Sequence, residues 1–363
     1  MATATPEILS LWNTPGIGPQ RLHSLMERFG SGRAIYGASV RQLCEVEGVD
    51  QATAAKIKSH ADLTWAEHQL KQAQRTGVMV LTFWDERYPE MLRSLYDSPM
   101  VLFVQGEVEV LAAKSIAVVG TRAPSEYGQI LAQKLTRDLV QRGLVIVSGL
   151  ARGIDTLAHH EAIASGGKTI AVLGSGVDQI YPSENRRLAA AVGANGALVS
   201  EYPLGTQPDA PHFPRRNRII AGLAVATLVV EAGENSGALI TADNALEYNR
   251  EVLAVPGNVT NPKSWGCNHL IQQGAKLVQE VEDILVEIGM ADMPPQERQL
   301  NLPGVGLTAE AEALLKVLTA EPQHIDAIAH QLGKPVFVVL AQLLELELQN
   351  MVTQLPGKIF VRV

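Results

Sequence analysis

Between Ser115 and Val255 short apolar runs alternate with helix-length segments, and this alternation restricts what the chain can fold into more than any other feature. The runs are Ile116–Val119, Val145–Ser148, Thr169–Leu173, Ala197–Ser200, Ala226–Val230 and Glu251–Val255. Runs so short and so uniformly apolar suit strands buried on both faces of a sheet. Between them, Glu126–Gln141 places Tyr127, Ile130, Leu131, Leu135 and Leu139 at helical spacing, which predicts a helix with one apolar stripe. Strand–helix alternation of this kind predicts an α/β fold: a doubly wound, mainly parallel sheet with helices on both faces.

Such a sheet binds ligands outside the carboxyl ends of its strands. There the sequence places Gly120-Thr121-Arg122, Ser148-Gly149 with Arg152-Gly153, Gly174-Ser175-Gly176, Glu201-Tyr202-Pro203, Glu231 through Ser236-Gly237, and Pro256-Gly257-Asn258. Without a Cβ, the backbone N–H groups of Gly149, Gly153 and Gly237 can approach a phosphate from helix N-termini. Any one such loop also has a steric explanation. Several on one edge, together with arginines, favour a bound phosphate chain. Neither the Gly-x-Gly-x-x-Gly nor the Gly-x-x-x-x-Gly-Lys-Ser/Thr fingerprint occurs, so dinucleotide and NTPase readings lose their main support.

The densest positive charge is Phe213-Pro214-Arg215-Arg216-Asn217-Arg218, which opens a predicted helix. Guanidinium forks fit phosphate, and an aromatic face can stack on a base. The alternative is a solvated helix face, or pairing of the arginines with Glu201 and Glu231. The chain as a whole carries a formal net charge of −8 over 363 residues. A general basic coat for nucleic acid is thereby excluded, and any polyanion must be gripped locally.

The length predicts two or three domains. Residues 1–76 read as helical: Gly16-Ile17-Gly18 resembles a helix-hairpin-helix turn, and Glu47-Gly48-Val49-Asp50 is a weaker copy with acids beside it. Residues 77–290 form the core, of which 77–110 is a connector with a strand at Val78–Leu81. Residues 291–306, rich in Pro and Gln, read as a linker. Within 307–363, predicted helices at 308–319, 324–332 and 335–349 precede two strands around Pro356-Gly357, the pattern of a winged helix. Its third helix offers Lys334, Glu345 and Glu347 and few base-reading side chains, so it is predicted to pack or bind a partner and not to read sequence. Cys44 and Cys267 match no metal or disulfide spacing, as expected of a reducing cytoplasm, and no long apolar run predicts membrane insertion. His159-His160-Glu161 reads as a partly buried helix face, not a metal site. Asp155 reads as a cap for the helix starting near Thr156.

Taken in order, Gly120-Thr121-Arg122, Ser148-Gly149 with Arg152-Gly153-Ile154-Asp155, Tyr181-Pro182 with Asn185, Phe213-Pro214-x-Arg216-Asn217-Arg218, Glu231-Ala232 with Ser236-Gly237, Pro256-Gly257, and Gly266 with Gly274-Ala275 closely resemble the DNA-processing protein A (DprA/Smf) family. The resemblance covers about 78–290 and extends to both ends. It implies a Rossmann-like core, a helix-hairpin-helix (SAM-like) N-terminal domain and a C-terminal winged helix. It further implies a cytoplasmic, homodimeric protein without enzymatic activity or cofactor, which binds incoming single-stranded DNA during natural transformation and loads the RecA recombinase onto it. In the family the arginine of the Gly-Thr-Arg loop and the aromatic before the Arg-Asn-Arg segment belong to the DNA pocket; here these are Arg122 and Phe213. Where some members carry a lysine shortly before that aromatic, this chain has Asp209, Ala210, Pro211 and His212. The expected nucleic-acid site therefore comprises Gly120, Thr121, Arg122, Ser148, Gly149, Arg152, Gly153, Phe213, Arg215, Arg216, Asn217, Arg218, Ser236 and Gly237. The rival reading is an enzyme that binds or cleaves nucleotides, with Glu231 as acid or base. The nucleotide-cleaving phosphoribohydrolases share a similar core, but their Pro-Gly-Gly-x-Gly-Thr loop is absent here.

Overall fold

A computed structural model describes residues 4–59, 62–291, 314–315, 317–318, 323–348, 352–355 and 358–362. The strands of the main sheet are β1 (Val78–Thr82), β2 (Val101–Gly106), β3 (Ser115–Val119), β4 (Val145–Ser148), β5 (Thr169–Val172), β6 (Gly196–Ser200), β7 (Ala226–Val229), β8 (Glu251–Ala254) and β9 (Lys276–Leu277). They lie in the order β1-β2-β6-β5-β4-β3-β7-β8-β9. From β6 to β9 all pairings are parallel, whereas β2 runs antiparallel to both β1 and β6. The chain winds outward from β3 to β6 and then returns to β7 beside β3, so the topological switch point lies between the Gly120–Arg122 and Glu231–Gly237 loops.

The period of two along each strand divides the core. Ala117, Val147, Ile170 and Val229 pack on one face with Ile219, Ile220 and Ala242 from the helices His212–Leu223 and Gly237–Glu247. Ile116, Val118, Ile146 and Leu228 pack on the other with Leu135, Leu139 and Ala158. At the β2–β6 end a third cluster joins Phe103, Ala171 and Leu198 to the N-terminal helices through Leu9, Leu22, Leu25 and Ile57. Those helices therefore share apolar core with the sheet.

The helix Glu126–Gln141 has the predicted bounds and is capped by Ser125, but its stripe is displaced. Gly128, Ala132, Leu135 and Leu139 face inward, whereas Tyr127 and Ile130 are exposed. In the first turn it is Gly128 that lies against Glu231, while the Tyr127 hydroxyl donates to the Pro256 carbonyl at 2.8 Å.

The C-terminal part forms a separate compact unit. Helices Ile325–Leu332 and Val336–Leu348 pack with strands β10 (Gln323–His324), β11 (Val352–Leu355) and β12 (Ile359–Arg362) around Ile328, Val339, Leu343 and Phe360. The expected linker and most of the expected helix 308–319 lie outside the described residues. On Val336–Leu348, Phe337, Leu340 and Leu344 are exposed. Among the described residues no single helix is long and apolar enough to cross a membrane.

Candidate nucleic-acid interface

All the expected site loops meet at the carboxyl edge of the parallel strands, but their side chains divide into an inner set and an outer set. The inner set centres on Arg216, which is 5% exposed. Its guanidinium donates to the Gly149 and Val172 carbonyls and to Asn217 Oδ1. Burial pulls its pKa down to about 10; the Asp155 carboxylate opposes that shift and nearby Arg122 adds to it. Arg216 remains a cation at neutral pH, with donors committed to the protein.

Asp155 does not cap its helix, as the sequence suggested. Gly153 occupies the cap position, and the Asp155 carboxylate reaches back to accept the N–H groups of Gly149 (3.1 Å) and Ala151 (3.3 Å). The Gly149 N–H is therefore used internally and is not offered to a ligand. Burial raises the Asp155 carboxyl, while the positive charge of Arg216 and the N–H groups of Ala151 and Gly149 pull it back. Ser148, fully buried, donates to the Val118 carbonyl at 2.7 Å. Asn217 donates to the Gly237 carbonyl at 3.1 Å and so ties the arginine helix to the loop after β7. Arg218 pairs with Glu201 and donates to the Asp97 carbonyl at 2.7 Å, which realises the alternative weighed for it in the sequence. Ser148, Gly149, Arg216, Asn217 and Arg218 thus build the rim from beneath.

The outer set is Thr121, Arg122, Arg152, Phe213, Arg215, Ser236 and Gly237. Arg122 and Arg215 are exposed and make no hydrogen bond or ion pair among the described residues. Arg152 is exposed and forms a two-pronged pair with Glu184 at 2.6 and 2.9 Å. Gly120 and Gly153 let the β3 and β4 loops touch. Gly153 has φ +76°, and a Cβ there would stand 2.3 Å from the Thr121 carbonyl oxygen. The β3 loop is fixed from the other side, where Thr121 N–H donates to the Glu231 carbonyl at 2.7 Å and Lys263 Nζ to the Ala123 carbonyl at 2.7 Å. Glu231 is buried, and its carboxylate accepts from the N–H and hydroxyl of Ser125.

Phe213 is half-buried on Gly174, and its ring lies 5.5 Å from that of Tyr181 at 38°. Tyr202 stacks on His212 at 4.1 Å close by. The sequence placed only Phe213 among these rings. Tyr181 enters the sequence reading only through the Tyr181-Pro182 motif, and His212 only as part of the departure from the lysine-bearing members. The signal available was three aromatics and a histidine in loops already assigned to the same edge. His159 is fully buried, with Nδ1 2.7 Å from Thr169 Oγ1; burial pulls its pKa down to about 3. Among the described residues no group of three or more His, Cys, Asp or Glu could hold a metal ion.

Comparison with known proteins agrees with this architecture. The family model "DNA recombination-mediator protein A" matches residues 79–289, "DprA winged helix domain" 294–358, and "SAM-like Helix-hairpin-helix tandem" 8–62. Protein Smf of Escherichia coli K12 is 44% identical over 284 residues, covering 75% of this chain and 74% of the relative. The X-ray structure of DprA from Streptococcus pneumoniae superposes with a TM-score of 0.70 at 37% identity, over 79% of this chain and 99% of that one. DprA from Helicobacter pylori, whose structure is described for its single-stranded DNA binding mode, superposes with a TM-score of 0.53 at 28% identity, over 58% of this chain and 94% of that one. With its core, its helical N-terminal module and its winged helix all matched in order, the chain belongs to the DNA-processing protein A (DprA/Smf) family.

Proposed function

We propose that the outer set is a sequence-tolerant site for single-stranded DNA. The observation that carries this reading is the pair of exposed guanidiniums without partners among the described residues, Arg122 and Arg215, on the same strand edge as the half-buried Phe213 ring and the exposed Tyr181 ring. Phosphates meet the arginines and the exposed amides of the Gly237 turn, and a base stacks on the aromatic pair. Arg152 joins by releasing Glu184, an exchange that costs little between exposed groups. The five inner residues position these contacts and do not make them. The H. pylori relative, described by its single-stranded DNA binding mode, supports the ligand class.

The chemistry is binding without bond cleavage. The carboxylate that the enzyme alternative requires, Glu231, is buried against Ser125. Family membership extends the proposal to a cytoplasmic homodimer that shields incoming DNA during transformation and hands it to RecA. Fluorescence anisotropy with oligothymidylate across a salt series tests the site. Arg122→Ala and Arg215→Ala are each expected to weaken binding and to flatten the log–log salt slope by about 0.7. Phe213→Ala is expected to cost about 1–3 kcal/mol. Unchanged affinity and slope in all three variants refute the site. Hand-over is read separately, as faster RecA filament growth on strands coated with a single-strand binding protein.

A further inference from the structure

The carboxyl edge does not end at Gly237. Beyond β7 the next loop is Pro256-Gly257-Asn258, and there a cavity of about 400 Å³ opens, lined by Tyr127, Pro256, Gly257, Asn258, Asn261 and Ser264. Its size suits one planar heterocycle. Tyr127 forms a wall: it is 48% exposed, and its hydroxyl is anchored on the Pro256 carbonyl. The floor is fixed, because the Asn268 carboxamide pairs with both the N–H and the carbonyl of Gly257, at 3.1 and 3.0 Å. Gly257 is required there, since a Cβ would stand 2.2 Å from Ser264 Oγ.

The polar groups are disposed asymmetrically. Asn258 Oδ1 accepts from Thr260 N–H and Oγ1, and Asn261 Oδ1 accepts from Lys263 N–H. Both carboxamide oxygens are thus occupied, while neither NH₂ group has a partner among the described residues. Two donors beside an aromatic wall match the acceptor atoms of a nucleobase, such as thymine carbonyls or guanine O6 and N7. Lys263 joins this pocket to the rim: its backbone N–H is capped by Asn261 Oδ1 and its Nζ donates to the Ala123 carbonyl, next to Arg122. From β5, where Phe213 packs on Gly174, to β8 is four strand spacings, roughly 19 Å.

We propose that the Tyr127–Asn258–Asn261 pocket is a second nucleobase site, which receives a base of the same strand further along from the one on Phe213. This rests on the single-stranded DNA reading of the rim. The experiment uses the full chain with oligothymidylates of about four and about twenty nucleotides. Tyr127→Ala is expected to weaken the longer oligomer by about 5- to 150-fold, the range of one lost base stack, and to leave the shorter one unchanged. Tyr127→Phe, which keeps the ring, is expected to retain most of that affinity, whereas Arg122→Ala weakens both oligomers. Because a variant can fail to fold, the unmodified protein supplies a second readout. A long oligomer carrying 5-iodouracil is expected to photo-crosslink within the peptide containing Tyr127.

Equal affinity of Tyr127→Ala and the unsubstituted protein for the longer oligomer overturns the proposal, as does a crosslink found only at the Phe213 end. A changed oligomeric state with unchanged affinity also overturns it and assigns the pocket to a contact between copies. If the unsubstituted protein binds neither oligomer, the underlying reading has failed. If it binds both and Tyr127→Ala is silent, only the second pocket has failed.

Discussion

Two neighbouring arginines on one helix have opposite fates, and the difference separates folding from binding. Arg215 points to solvent, while Arg216 is wrapped by the Gly149 and Val172 carbonyls. Arg216→Ala leaves both carbonyls without that donor and removes the nearby positive charge from buried Asp155, and is expected to cost roughly 1–3 kcal/mol for each acceptor left bare, read in urea unfolding. Arg215→Ala is expected to change stability by no more than about 0.5 kcal/mol while lowering DNA affinity. Composition and spacing mark both residues as equally cationic. Only the packing of the helix against β4 and β5 decides which one turns inward, and for that reason the sequence assigned the same role to both. His159 adds a pH dependence. Its folded-state pKa of about 3 lies below the ordinary 6.5, so the unfolded chain takes up a proton first as pH falls. Its contribution is intact above about pH 6.5 and declines as the pH falls towards 3, reaching about 2 kcal/mol of loss by pH 5. His159→Leu is expected to remove that part of the slope between unfolding curves taken at pH 7 and pH 5.

At the scale of elements, the strands were legible because a buried parallel strand must be apolar throughout, and all six predicted runs appear within one residue at either end. The helix bounds of Glu126–Gln141 were legible from Ser125 and the periodicity. Its inward face was less so, since the buried stripe runs through the small residues Gly128 and Ala132, which a search for large apolar side chains passes over. The contact between the β3 and β4 loops was legible only as a glycine. Its reason is the +76° φ of Gly153 and the closeness of the Thr121 carbonyl. Gly153→Ala is expected to lose more than about 1 kcal/mol of stability and to weaken DNA binding together with it, since the turn carrying Arg122 must move. A variant that unfolds normally yet binds weakly would place Gly153 in direct contact with the strand instead.

For the molecule as a whole, a net charge of −8 coexists with a rim whose exposed cations include Arg122, on the loop after β3, and Arg215, in the first turn of the helix His212–Leu223. DNA affinity is therefore expected to fall only modestly with salt, with a log–log slope of about −0.7 for each of the few phosphates neutralised, and salt also screens the repulsion from the acidic remainder of the surface. Residues Met1–Glu297 form one compact unit that contains the whole rim, and Arg298–Val363 form another. A chain ending at Glu297 is expected to keep its single-stranded DNA affinity in the same anisotropy assay, and a marked loss would bring the winged helix into the site.

The two ends of the rim are chemically unlike, with a tilted aromatic pair over β5 and two carboxamide donors over β8. A polynucleotide also has distinguishable ends, so laying it one way is not equivalent to laying it the other. In the homodimer proposed above, rims lying across the two-fold axis would run in opposed directions. A single strand passing straight from one copy to the other would meet the second rim reversed, so each copy must hold its own stretch or the strand must turn back between them.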